Sequence, residues 1–249
     1  MKSVDLNCDV GEGVGLEPTL LPWVSSANIA CGAHAGDTAT MAATIKLARE
    51  LDVQVGAHPG FADREHFGRR EISLSESGIE YLVTSQLEAL AAQGEFSYVK
   101  PHGALYNMAA RDRAVADAVV RAVRQFDADL WLLGLAGSCL IAAGLAAGLS
   151  VAREVFADRG YDEAGRLITR GEPGAMITDE GAAVTQVLAM VSEGRVRSRT
   201  GTWVDLQADS VCLHGDQPAA VSFARKLNRA LADAGVSIRP FTSRWENTS

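Results

Sequence analysis

The feature that most narrows the fold is an alternation. Short, nearly continuous apolar runs recur along the chain, each separated from the next by an amphipathic segment long enough for a helix. Runs read as strands fall at residues 4–8, 24–30, 53–57, 97–100, 130–133, 151–156 and 210–213, with an eighth at 236–239. Strands that are apolar on both faces belong in a parallel sheet covered by helices. Between them, Ile79, Leu82, Val83, Leu87 and Leu90 repeat on one helical face behind Ser75, a predicted N-cap. Val115, Val119, Ala122, Val123 and Phe126 do the same behind Asp112. Asp37 is read as the cap of a helix reaching residue 51, and Thr178 or Asp179 as the cap of one reaching 191. Pro218 is read as the start of one reaching 231.

Such a sheet is either open or closed into a barrel. An open dinucleotide-binding sheet carries a glycine fingerprint after its first strand. Gly11-x-Gly13-x-Gly15 comes close, but its third glycine falls one position early, and position 16 is Leu. No G-x-x-x-x-G-K-[ST] phosphate loop for ATP occurs either. Seven or eight strands in 249 residues, with no linker or repeat, predict a single-domain α/β fold. It is read as a (β/α) barrel of largely parallel strands over residues 1–243, with 244–249 as a C-terminal tail.

Composition excludes several functions. The 31 Asp+Glu against 23 Lys+Arg give a net charge of −8, which argues against nucleic acid as a partner. Residues 130–152 carry no charge and are long enough to span a bilayer. Gly134, Gly137 and Ser138 interrupt them, however, and no cationic flank orients them, so they read as strand, turn and helix with no membrane association. Four scattered cysteines without C-x-x-C spacing read as reduced thiols of a cytoplasmic protein. Asp5 precedes any apolar h-region, so no signal peptide is expected.

Four of the five histidines come at or just after the end of a strand run. Asn7 and Asp9 end the first run, with Glu12 close behind; His34 and His58 follow the second and third. Lys100 and His102 end the fourth, and His214 and Asp216 follow the run at 210–213. Strand C-termini share one rim of a barrel, and active sites of this architecture lie there. Asp9, His34 and His58 on neighbouring strands could hold a divalent metal with one position open to water. Without a metal, the same residues serve as acid, base and orienting groups. Arg69 and Arg70, in the 60–71 loop, and Arg159, after the 151–156 run, are candidate anion clamps, because guanidinium binds carboxylate or phosphate through two parallel hydrogen bonds.

Several stretches are recognisable. Asn7-Cys8-Asp9-Val10-Gly11-Glu12, Ala27 through Asp37, Gly56-Ala57-His58-Pro59-Gly60-Phe61 and Phe67-Gly68-Arg69-Arg70 resemble the LamB/YcsF family. So do Val99-Lys100-Pro101-His102-Gly103-Ala104-Leu105-Tyr106-Asn107, Phe156-Ala157-Asp158-Arg159 and Cys212-Leu213-His214-Gly215-Asp216. The resemblance implies a barrel similar to glycoside hydrolase and deacetylase folds. It also implies ATP-dependent hydrolysis of the lactam of 5-oxoproline to L-glutamate, with 5-oxoprolinase subunits B and C as partners. Those partners would bind ATP and phosphorylate the lactam, in keeping with the missing phosphate loop.

On that footing, Asp9 or His58 is expected to deprotonate water, and His102 or His34 to protonate the ring nitrogen. Lys100 with Arg69 or Arg70 would hold phosphate and carboxylate. Asn7, Glu12, Arg159, His214 and Asp216 are further candidates for substrate contact. Two other readings stand beside this one: a metal-dependent amidohydrolase or deacetylase acting alone, and a lactam-binding regulatory protein.

Overall fold

One strand shows how the barrel is built. In β1 (Lys2–Val10), Val4, Leu6, Cys8 and Val10 join the main apolar cluster, while Asp5, Asn7 and Asp9 alternate with them on the opposite face. A period of two sends the first set to the helices and the second into the barrel. The computed structural model describes residues 2–213 and 220–242, so His214, Asp216, Pro218 and the 244–249 tail lie outside the described residues.

After β1 come α1 (Glu17–Leu20), β2 (Ser26–Ala30), α2 (Thr38–Glu50), β3 (Gln54–His58), α3 (Glu76–Ala91) and β4 (Tyr98–Val99). Next are α4 (Gly103–Arg111), α5 (Arg113–Phe126), β5 (Trp131–Leu135), α6 (Cys139–Ala146) and β6 (Val151–Phe156). The chain continues through α7 (Glu180–Leu188), β7 (Arg195–Arg197), β8 (Trp203–Asp205), β9 (Ser210–Leu213), α8 (Ala220–Asp233) and β10 (Val236–Ile238). Strands β1 to β6 pair in chain order, β6 pairs with β9, and β9 returns to β1; every pairing is parallel.

Seven strands therefore close the ring. The expected eighth, β10, pairs only with Lys2–Val4 of β1, outside it. Beyond β10, Phe241 is buried against Tyr98, Trp131, Leu133 and Ala152 at the starts of β4, β5 and β6, which seals the end opposite the strand C-termini. Tyr98 fills the interior because β3 offers it a glycine: a Cβ at Gly56 would lie 2.2 Å from its ring.

Helices α2, α3, α5 and α7 begin where side chains supply the missing backbone acceptors. Asp37, Ser75, Asp112 and Asp179 accept from the amides of Thr40, Gly78, Ala114 and Ala182, and each such cap contributes about 1 kcal/mol. Between Thr178 and Asp179, the cap is Asp179. Helix α5 buries Val115, Val119 and Val123 and packs against α3 and α6. Residues 130–152 divide into β5, α6 and the start of β6, and no helix among the described residues is long and apolar enough to cross a membrane.

Three elements were not expected from the sequence, namely the single-turn α1, α4 and the antiparallel β7–β8 hairpin. The hairpin strands are three residues each and half-exposed, too short for periodicity to register.

Candidate active site

The barrel interior is polar where such barrels are usually filled by branched apolar side chains. Tyr98 donates to Asn28 Oδ1 at 2.6 Å, and Asn28 Nδ2 donates to Asn7 Oδ1 at 2.7 Å and to Asp9 Oδ1 at 2.8 Å. Asn7 Nδ2 in turn donates to Glu154 Oε1 at 3.0 Å and Ser210 Oγ at 2.7 Å. Deeper still, Asp5 accepts from the hydroxyls of Ser25, Ser26 and Ser210. Burial pushes Asp5 up to about 6 against those three hydrogen bonds.

Lys100, just past β4, lies at the centre of this network. Its Nζ is 2.8 Å from Glu154 Oε1, 3.0 Å from Asp9 Oδ1 and 3.2 Å from Asn7 Oδ1, and the side chain is buried. Burial works against the charge, yet the Asp9, Cys212 and Glu154 groups overcome it and hold the ammonium well above its usual range. Lys100 therefore pairs with both Asp9 and Glu154 from beneath, enclosed by protein groups on the interior side.

Above it stands an array of imidazoles. His58 ends β3, and its Nδ1 lies 2.7 Å from the Lys100 carbonyl. A carbonyl only accepts, so Nδ1 carries the hydrogen, and Nε2 faces Asp9 Oδ2 at 3.4 Å and His102 Nδ1 at 3.0 Å. His102 is fixed in the same way: its Nε2 donates to the Phe67 carbonyl at 2.8 Å, leaving Nδ1 without a hydrogen in the neutral ring. His34 stacks on His102 at 3.7 Å, parallel within 2°, and its Nε2 meets Glu12 Oε1 at 3.3 Å. This close approach requires glycine in the facing loop, since a Cβ at Gly60 would lie 2.8 Å from His34 Nδ1, and one at Gly68 2.9 Å from His34 Cβ.

Burial, reinforced by the His58 charge, lowers His34 to about 3 and His102 to about 2, so both are neutral near pH 7. Burial pushes Asp9 the other way, but the His58 and Lys100 charges prevail and hold its carboxyl well below the usual carboxylate range. With both outer nitrogens committed to carbonyls, the 3.0 Å contact between His58 and His102 has room for one bridging proton, and Asp9 is its counter-charge.

The expected metal set was Asp9, His34 and His58. The donors that converge within 4.8 Å of one another are instead Glu12, His34, His58 and His102, with Asp9 one contact further out on His58. Because His34 and His102 are stacked in parallel planes, no single point lies in both ring planes, and one ring must turn before both can ligate one ion.

The predicted arginines separate. Arg70 is exposed and paired with Asp63 at 3.3 Å, and the neighbouring Arg64 donates to the carbonyls of Gly32 and Gly36. Arg69 lies 5.1 Å from the Phe67 ring, and with Arg159 it lines a cavity of about 570 Å³ beside the histidines. Arg159 is itself buried, donating to the carbonyls of Ile168 and Ala175, and so holds the 159–175 segment in place.

Sequence reasoning did not single out Glu154, Asn28 or Cys212 as parts of the site. Glu154 did leave a signal: it is a carboxylate within the apolar run 151–156, at a position whose side chain faces inward.

The fold is a closed (β/α) barrel, shared with a T48 deacetylase that superposes with a TM-score of 0.53 at 16% identity, covering 100% of this chain and 92% of that one. The LamB/YcsF family model matches residues 4–246, and the chain belongs to that family. The lactam utilization protein of Thermus thermophilus is 42% identical with a TM-score of 0.89, covering 96% of this chain and 99% of that one. The A subunit of 5-oxoprolinase from Neisseria meningitidis serogroup C is 50% identical, and that from Tolumonas auensis 51%; each match covers 96% of this chain and 99% of the relative.

Proposed function

We propose that this chain is the ring-opening subunit of a 5-oxoprolinase, hydrolysing the cyclic amide of 5-oxoproline after partner subunits B and C have phosphorylated it with ATP. The support for the substrate is the near-complete match, at about half identity, to relatives named as the A subunit of 5-oxoprolinase. The observation that carries the chemistry is the Asp9–His58–His102 array, whose outer nitrogens are committed to the Lys100 and Phe67 carbonyls.

An amide nitrogen is a poor leaving group. Phosphorylating the amide oxygen makes its carbon electrophilic, but the adduct formed with water can still collapse two ways. Expelling phosphate regenerates the lactam and wastes the ATP. Expelling the nitrogen opens the ring to an acyl phosphate, which a second water hydrolyses to glutamate and phosphate. Protonation of the ring nitrogen selects the second course.

On this reading Asp9 accepts the proton of the attacking water, and the proton shared by His58 and His102 passes to the ring nitrogen. Transfer from Asp9 to His58 across their 3.4 Å contact then restores the array. Lys100 holds Asp9 ionised, and so ready to accept a proton, before water attacks. The test is to combine the purified chain with its partner subunits, 5-oxoproline and ATP, and to measure glutamate while omitting each component in turn. The proposal expects none without this chain; unchanged glutamate in its absence refutes it.

A second reading, a divalent cation in place of the shared proton, is favoured by the four converging donors. Histidine ligands pinned through their other nitrogen are characteristic of metal sites, and His58 and His102 are so pinned. Such an ion would act as a Lewis acid toward the amide. Stoichiometric metal on elemental analysis, together with chelator-sensitive glutamate release, selects this reading; its absence from active complex rejects it.

A further inference from the structure

A second hollow lies beside the histidines, and none of them lines it. It lies between α4, the turn from β5 into α6, and the segment after Arg159, and holds about 570 Å³. Its wall carries Arg69, Arg111, Arg159, Arg166 and Arg170 against a single carboxylate, Glu71, which is paired with Arg111 at 2.7 Å. In a chain of net charge −8, five guanidinium groups around one hollow are a pronounced local reversal of sign. Gly137, Ser138 and Cys139 complete the wall at the start of α6, where the helix dipole adds positive potential. Leu135, Ala136 and Leu167 supply apolar surface beside these charges.

We infer that this cavity binds a small phosphate-bearing anion. Guanidinium groups pair with phosphate through two parallel hydrogen bonds, and several of them serve a ligand that carries a carboxylate as well. A phosphorylated lactam acid has both groups; in that respect alone the inference rests on the function proposed above. Arg69 and Gly103 form the partition between the two regions: both line the cavity, Arg69 follows Gly68, which packs against His34 and His102, and Gly103 follows His102 itself. A ligand anchored by its anionic groups here would present its remaining atoms toward the array.

The phosphate could belong to a small acid or to a nucleotide, and one experiment separates them. Cys139 lines the cavity and is half-buried, whereas Cys8, Cys31 and Cys212 are buried, so alkylation reports on this wall. The full chain is treated with iodoacetamide, and Cys139 modification is followed by mass spectrometry at constant ionic strength in acetate, inorganic phosphate or ATP. The inference expects phosphate to slow alkylation at least threefold and saturably. Arg166→Ala/Arg170→Ala should raise the phosphate concentration required at least tenfold, with matching loss of ³¹P line broadening in the phosphate signal.

An unchanged rate and line width in phosphate, or equal protection in the double variant, overturns the inference. Protection by ATP at far lower concentration than by phosphate overturns the assignment to a small acid. No turnover or partner is needed, so failure here leaves the coupled glutamate assay free to support the proposed function, and the reverse.

Discussion

The histidine array and the arginine cavity meet at one backbone crossing, where Ala104 donates to the Gly68 carbonyl at 3.0 Å, yet they are built on opposite terms. The array is enclosed: His34, His58 and His102 are buried, and the small hollow beside Asp9 and Glu12 holds only about 10 Å³. The cavity is roomy, and Arg69, Arg111, Arg166 and Arg170 reach it from exposed positions. A low-dielectric setting strengthens charge interactions and fixes tautomers, which suits proton transfer, whereas binding and release of an anion need solvent access. The molecule thus separates the handling of protons from the holding of charge.

Breaking the array should have the largest effect. His58→Ala removes the proton carrier and is expected to lower glutamate formation by about 10²–10⁴ in the reconstituted complex. Its KM should be preserved, and ATP hydrolysis should continue uncoupled from ring opening. Steady-state assays of both products check this.

Removing the charge beneath the array comes next. Lys100→Met leaves Asp9 and Glu154 buried without their cation, and loss of one partner from such a group costs about 3–5 kcal/mol. Urea unfolding of the isolated chain at pH 7 measures that loss.

A smaller effect follows from pH. His34 and His102 have folded pKa values of about 3 and 2, below the unfolded 6.5, so below pH 6.5 the unfolded chain binds more protons. Each group then costs stability as pH falls, at about 1.4 kcal/mol per pH unit. Asp5 opposes them: its folded pKa of about 6 lies above the unfolded 3.8, so it adds stability as pH falls from 6 toward 4. Two groups against one leave a net loss of about 2–3 kcal/mol between pH 6.5 and 5, measurable by the same urea titration across that range.

The cavity supplies the smallest effect and the sharpest contrast. Arg166→Ala/Arg170→Ala should raise KM for 5-oxoproline in the complex about tenfold, equivalent to about 1.4 kcal/mol, with kcat retained. Such a split between KM and kcat is the reverse of that expected for His58→Ala.

The sequence revealed the array more clearly than the cavity, for a physical reason. Residues at strand ends inherit their position from the barrel, so Asp9, His34, His58 and His102 could be placed on one rim from their spacing alone. Capping positions at Asp37, Ser75 and Asp112 were equally legible, because each rests on a local hydrogen bond. The depth of Lys100 was not: its expected role at a phosphate ignored the inward carboxylates of Asp9 and Glu154, which arrive from β1 and β6. Nor could spacing tell that Glu12 would fold back over His34 while Arg70 turned outward to Asp63. That Arg69 and Arg159 line the same hollow depends on tertiary packing between distant segments of the chain, which no local pattern encodes.

The account depends most on how the two facing rings are protonated, and ¹⁵N NMR of labelled imidazoles reads this directly. The prediction is that His102 keeps its hydrogen on Nε2, with Nδ1 bare and hydrogen-bonded, unchanged from pH 8 to pH 5. A His102 that carries its hydrogen on Nδ1, or that titrates near 6.5 like a free imidazole, contradicts the proton-sharing array.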